Sequence, residues 1–187
     1  MKVRVFFAVV CAALIAGSCV FSPKSESPEP TPTGKWEDPS SPDKVVSNLK
    51  VAFNDLNIEF YRDCLNDNYF YLSRSEVDNI DIRWSKSEDV TTVENLMNGC
   101  LKFVFTAVQN TVHEEYGKDY PDIPDGAVVV PEHPNEKWLV VSYIVDMEIF
   151  TKTKGDFNVH QYMEFKFVQD PKTKFYSIVL WNDLTNQ

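Results

Sequence analysis

The sequence predicts an α+β fold, an antiparallel sheet packed on about three helices drawn from the N-terminal half. Three observations carry this. Between Lys137 and Asp183, in KWLVVSYIVDMEIFTKTKGDFNVHQYMEFKFVQDPKTKFYSIVLWND, apolar and polar residues alternate with a period of two, broken by two turn signals. Upstream, two stretches place apolar residues at helical spacing behind capping residues. Hydrophobic residues make up 43% and aromatics 13% of 187 residues, enough for the core of one domain.

The first element is a targeting segment. Met1–Ser18 has Lys2 and Arg4 followed by the apolar run VFFAVVCAALIAG, too short for a comfortable membrane span. It ends in Ile15-Ala16-Gly17-Ser18-Cys19 and resembles a bacterial lipoprotein signal, in which small residues precede a cysteine that becomes lipid-modified and N-terminal. Ala16 stands where that pattern prefers Leu, with Ile15 one residue earlier. The resemblance implies lipidation at Cys19; the alternative is an ordinary secretory signal cut nearby, with Cys19 an idle thiol. Val20, rather than Asp, after the cysteine resembles outer-membrane sorting, with the domain facing the periplasm. The expected partner is therefore a membrane, reached through lipid chains.

Residues 19–41 read as a tether. VFSPKSESPEPTPTGKWEDPSS holds five of the chain's eleven prolines and cannot bury enough surface to fold alone. Trp36 within it is expected to be exposed, with docking on the domain as the alternative. Residues 42–187 then form the single domain.

Ser41-Pro42-Asp43 marks a helix start: a capping hydroxyl, Pro at the first helical position, and an acid near the positive end. Val45, Val46, Leu49, Ala52, Phe53 and Leu56 follow at helical spacing, and Asn54-Asp55 with Asn57 loosens the helix. A second short helix covers Ile58–Leu65. Asn66-Asp67-Asn68 reads as a turn and Tyr69–Leu72 as a short extended piece. Ser85-Lys86-Ser87-Glu88 is a capping box, with Val90, Val93, Leu96 and Met97 as the apolar stripe and Asn98-Gly99 as the stop. Cys100–Val112 reads as a strand. Asp119–Pro134 reads as a long loop, with a short strand at Ala127–Val130.

In the final stretch Leu139, Val141, Tyr143, Val145, Met147 and Ile149 share one face, as do Phe157, Val159, Met163, Phe165 and Phe167. A three-residue hairpin loop, Thr153–Gly155, with Gly155 in the left-handed position, puts both sets on one side. That register pairs Thr151 with Phe157, Glu148 with His160, Asp146 with Tyr162 and Ser142 with Lys166. The opposite face is then polar, open to water or a partner. Asp170-Pro171-Lys172 makes the next turn, and Phe175–Asp183 returns as the last strand.

In this order the elements resemble the nuclear transport factor 2-like superfamily, also called the cystatin-like cone. The resemblance spans roughly residues 42–184. It rests on SPDKVVSNLKVAFNDLNIEFYRDCL, then NYFYL, then WSKSEDVTTVENLM, then the ending Tyr176-Ser177-Ile178-Val179-Leu180-Trp181-Asn182-Asp183. It implies a cone-shaped curved sheet wrapped around helices with a hollow at the wide end. The family's members include isomerases, dehydratases, cyclases and non-enzymatic binding modules, so the fold leaves the activity open.

Candidate site residues fall into two groups. Tyr69, Tyr71, Trp84, Tyr143 and Trp181 could line a hollow for a small apolar or aromatic ligand, with Gln161 and Asp183 as polar groups beside them; ordinary core packing is the leading explanation of the aromatics. His160, Tyr162 and Glu164 alternate on one strand face with Asp146 and Glu148 across from them. A His beside two carboxylates can move protons, but a solvated face or a homodimer interface through the sheet accounts for the same pattern. No catalytic residue is assigned. The leading expectation is a non-catalytic binding or interaction module; the alternative is a small isomerase or dehydratase-like enzyme with its site inside the cone.

His113-Glu114-Glu115 lacks a second His at helical spacing, His133 stands alone in a proline-rich loop, and no clustered Cys/His motif occurs, so neither metal nor cofactor is expected. The formal charge of −10 sets nucleic acid aside as a partner. Cys64 and Cys100 remain after the signal and Cys19 are accounted for. They are either a disulfide or two buried thiols.

Overall fold

The computed structural model describes residues 34–75, 80–116 and 136–184. The signal segment, Cys19, the first part of the tether and the loop at 119–134 with its expected short strand lie outside these residues.

Helix α1 spans Pro42–Asn54 and buries Val45, Leu49, Ala52 and Phe53 along one stripe. Ser41 stands at its N-cap with extended backbone, but its side chain makes no capping bond. Helix α2 spans Ile58–Cys64. Asn57, read from sequence as a loosening residue, is its N-cap, accepting from the amides of Glu59 and Phe60 at 3.1 Å each. Strand β1 (Leu65–Ser75) follows at once, so the turn expected at Asn66–Asn68 is instead the irregular start of a strand. Strand β2 (Ile80–Ser85), not foreseen in the sequence, pairs antiparallel with β1. Helix α3 (Lys86–Gly99) opens on the predicted capping box, both halves present, and stops at the predicted glycine. Strands β3 (Cys100–Tyr116), β4 (Lys137–Thr151), β5 (Asp156–Gln169) and β6 (Tyr176–Asp183) complete the sheet.

The sheet order is β2-β1-β6-β5-β4-β3. All neighbours are antiparallel except β1 and β6, which run parallel, so the sheet is mixed rather than wholly antiparallel. No tight turn joins β1 to β6, and chain direction there is free of the hairpin constraint.

The β4–β5 register differs from the expected one by two residues. Ile149 faces Phe157, Asp146 faces His160 and Ser142 faces Glu164. The connection is four residues, Lys152–Gly155, because the Thr151 hydroxyl closes it, donating to the Gly155 carbonyl at 2.8 Å and accepting from the Lys154 amide at 2.9 Å. Gly155 does have positive φ, 86°. A shift of two keeps every side chain on its predicted face.

The main core lies between the helices and one sheet face. Phe53 of α1 stacks on Phe103 and Phe105 of β3 at centroid distances of 4.7 and 5.2 Å. Asn54 ties the helix end to the strand by accepting from the Phe105 amide at 3.0 Å. The opposite face is not wholly polar: Phe70, Trp138, Val168, Val179 and Leu180 form a second buried apolar cluster there, and Val140 and Lys166 are buried too.

Residues 34–41 are held on the domain. The buried Asn48 amide donates to the Glu37 carbonyl at 2.7 Å and its oxygen accepts from the Glu37 amide at 2.8 Å. Tyr176 N donates to the Pro39 carbonyl at 2.7 Å. Trp36, expected to be exposed, is partly buried against the core with its ring 4.8 Å from that of Phe60. Gly34 lies so close to α1 that a Cβ there would sit 2.6 Å from Val51 Cγ2.

Cys64 and Cys100 are free buried thiols, not a disulfide. Cys64 Sγ donates to the Val45 carbonyl at 3.8 Å and Cys100 Sγ to the Leu96 carbonyl at 3.1 Å. Burial pushes both thiols above their ordinary pKa, which keeps them protonated and unreactive.

Candidate functional site

Helices α2 and α3 press two polar side chains into the core. The Tyr61 hydroxyl donates to Asp89 Oδ2 at 2.5 Å, both residues being buried. Burial raises the Asp89 carboxyl to about 6, against the lowering effect of the Tyr61 and Tyr69 hydroxyls. The Tyr69 hydroxyl lies beside this pair without a well-aligned hydrogen bond of its own. Burial first, and Asp89's charge among the further causes, push both phenols well above their ordinary range. Neither Tyr61 nor Asp89 is singled out by the sequence reading. The signal was available in part: Asp89 lies four and eight residues before Val93 and Met97, on the apolar stripe of α3, although it also lies in the first turn, where the helix dipole favours an acid.

Four of the expected pocket residues do meet. Tyr71 stacks on Trp84 at 4.9 Å and meets Trp181 edge-on at 6.3 Å. Its hydroxyl donates to Asp183 Oδ2 at 3.4 Å, which also accepts from the Ser73 hydroxyl at 3.2 Å. Burial, then the Asp183 charge, raise the Tyr71 phenol. Trp181 is buried and directs its indole N–H at Met163 Sδ, 3.1 Å away. Tyr69 stands with Tyr61 and Asp89 rather than with this set. Gln161 sits on the inner face opposite Val145, partly exposed.

Tyr143 is separate from all of these. It lines a cleft of about 310 Å³ between α1 and the β3–β4 ribbon, with Asp43, Ser47 and Lys50 on the helix side and Thr106 and Gln109 on the strand side. Val46, Phe105 and Ala107 supply its apolar wall. The Tyr143 hydroxyl is buried and has no hydrogen-bond partner. Burial, then the charge of Asp43, raise its pKa. A second cleft, about 570 Å³, lies where α2, β1 and α3 meet. Its cations are already engaged: Arg62 by Glu59, and Lys86 by Asp67 at 3.2 Å and the Leu65 carbonyl at 2.8 Å.

The polar set on the outer face splits in two. His160 Nδ1 and Asp146 Oδ1 are 2.5 Å apart and exposed, and the paired positions Glu148 and Asn158 are exposed beside them. Glu164 instead joins a partly buried network, 3.6 Å from Lys166 Nζ, which also pairs with Glu115 and lies over the Trp138 ring. Glu115 also meets His113 Nε2 at 3.0 Å. Burial raises the Glu115 carboxyl, but hydrogen bonds from Lys166 and His113 outweigh it and leave the pKa below the usual value. Tyr162 is half exposed and belongs to neither group. Among the described residues no three His, Cys, Asp or Glu side chains gather as metal ligands; His133 lies outside them.

No family model matches the chain, and no curated protein is significantly similar to it. Solved structures do superpose. A conserved protein of Planctomyces limnophilus aligns with a TM-score of 0.54 at 8% identity, over 75% of this chain and 89% of that one. Two proteins of Novosphingobium aromaticivorans each give a TM-score of 0.53. One, provisionally named a scytalone dehydratase, is 7% identical over 78% of this chain and 81% of its own. The other, provisionally named an aromatic ring hydroxylase, is 8% identical over 80% and 90%. At such identities the likeness is one of fold. Over its described residues the chain has the nuclear transport factor 2-like, cystatin-like cone fold: three helices on a curved, unclosed, mixed six-stranded sheet.

Proposed function

We propose that this is a lipid-anchored cell-envelope protein whose cone domain is a binding module rather than an enzyme. One observation carries the second half of this reading. The two carboxyls inside the cone are shut off from solvent: Asp89 and Asp183 are at most 6% exposed, and neither lines the cleft at Tyr143 or the one where α2, β1 and α3 meet. A general acid or base has to come within hydrogen-bond reach of the group it serves, and a sealed carboxyl does not. The cleft at Tyr143 opens outward instead and is the natural seat for a ligand.

The first half rests on the sequence around Cys19. Small residues before the cysteine and a proline-rich stretch after it suit a domain held off an outer membrane by lipid chains. Metabolic labelling with palmitate tests the anchor: the wild type takes up label and Cys19→Ala does not. Equal labelling of both would remove it.

An acid–base enzyme is the second reading. It is favoured by Asp89, whose carboxyl titrates near neutrality against a tyrosine hydroxyl. It needs an opening of the cone. Solvent exchange of the Asp89 side-chain proton on a sub-second timescale would support it, and protection comparable to the core amides would count against it.

The outer face supplies a surface for a second copy. Val108, Ile144 and Tyr162 stand side by side across β3, β4 and β5, with Val108 62% and Tyr162 50% exposed. Sedimentation equilibrium showing only monomer at high concentration would oppose a homodimer through this row.

A further inference from the structure

The two clefts differ in how their charges are used. Where α2, β1 and α3 meet, Arg62 and Lys86 are already paired. In the cleft between α1 and the β3–β4 ribbon, Asp43 and Lys50 make no ion pair or hydrogen bond with the described residues. They lie seven residues apart on one helix, so their Cα atoms are about 10 Å apart along its axis. One end of the cleft is anionic and the other cationic.

Position along the ribbon sorts the remaining polar groups. Asn54, at the end of α1, bonds the Phe105 amide, so α1 runs back along β3 from that point. Lys50 therefore lies toward Thr106, and Asp43 toward Gln109 and its cross-strand partner Tyr143. Tyr143 lines the cleft at this end, and its buried hydroxyl has no partner. A buried hydroxyl without a partner is costly in a finished fold, and a bound group that completes it removes the cost.

We propose that this cleft binds a small zwitterion of about dipeptide size, with its ammonium at Asp43, Gln109 and the Tyr143 hydroxyl and its carboxylate at Lys50. An extended dipeptide separates its end charges by about 7 Å, and the flexible Lys50 side chain covers the rest of the span. Small apolar side chains then rest on Val46, Phe105 and Ala107. A volume of about 310 Å³ holds such a molecule and little more. This deepens the binding-module reading and rests on it.

The test is an amide-resolved NMR titration of the full chain in detergent. The probes are alanyl-alanine, its N-acetyl form and its C-terminal amide. Alanyl-alanine is expected to shift the amides of Ser47, Lys50, Ala107, Gln109 and Tyr143, and each capped form to bind about tenfold more weakly. Asp43→Asn should weaken the free dipeptide but not the N-acetyl form, and Lys50→Met the free dipeptide but not the amide. Tyr143→Phe should weaken binding while raising the melting temperature, the opposite of what loss of a structural hydroxyl does.

Capped forms binding as tightly as the free dipeptide would overturn the ligand class. Shifts at other amides, or none up to about 10 mM, would overturn the site. Cleavage of the dipeptide during the titration would leave the site standing and sink the binding-module reading. A ligand retained elsewhere, indifferent to Tyr143→Phe, would do the reverse.

Discussion

Tyr61 donates its hydroxyl proton to Asp89 at 2.5 Å in a place almost without solvent, and the burial of that carboxyl, which outweighs the bond, sets a pH dependence. The carboxyl's folded pKa is raised, to about 6 from an ordinary value of 3.8. Its contribution to stability is therefore complete below about pH 4 and lost as pH rises through about 6, a change of about 3 kcal/mol. Asp89→Asn keeps an acceptor for Tyr61 and removes the charge. The variant's stability advantage over wild type is expected to grow by about that amount between acid and neutral pH in urea melts. A pH-independent difference would show that the carboxyl is not held protonated by the fold.

Tyr143→Phe is expected to stabilise the unliganded protein by about 1 kcal/mol, because it deletes a buried hydroxyl that has no partner. Calorimetry reads this directly. A loss of stability would mean the hydroxyl is already satisfied.

Asn48→Ala removes both hydrogen bonds that hold Glu37 against α1. The expected cost is about 2 kcal/mol. Faster hydrogen exchange is expected at residues 34–40, with the sheet amides unchanged. Unaltered exchange in that segment would mean that Trp36 on Phe60 suffices to hold it.

Gly155→Ala places a side chain at φ 86° with open space around it, so the cost is conformational rather than steric. About 1 kcal/mol is expected. Gly99→Ala is the control, since a Cβ there meets nothing within 4 Å and the site ends a helix. Equal losses at both positions would contradict the assignment of left-handed strain to Gly155 alone.

The periodic elements were legible because periodicity reports burial directly. The face assignment of β4 and β5 survived a register error of two because side chains alternate with a period of two. What failed was chemistry local to the backbone. Thr151 lengthens the hairpin loop through its hydroxyl, and Asn57 caps a helix it was expected to disturb. Long-range relations were not readable from spacing. The parallel pairing of β1 with β6 joins residues more than a hundred positions apart, as does Tyr71 with Asp183. The Tyr61–Asp89 pair was half visible, as an acid on an apolar helical stripe, and its partner was not. Tyr143 is among the residues expected to line the pocket, but spacing does not say that it stands apart from Tyr71 and Trp181.

The most direct test of the central claim, a binding module with its site at Tyr143, is native mass spectrometry of the protein isolated from its own host, beside the Tyr143→Phe variant. The expected result is a small retained mass on the wild type, depleted in the variant and unchanged in identity on incubation. A retained molecule equally abundant on both proteins, or one converted to product over time, would contradict it.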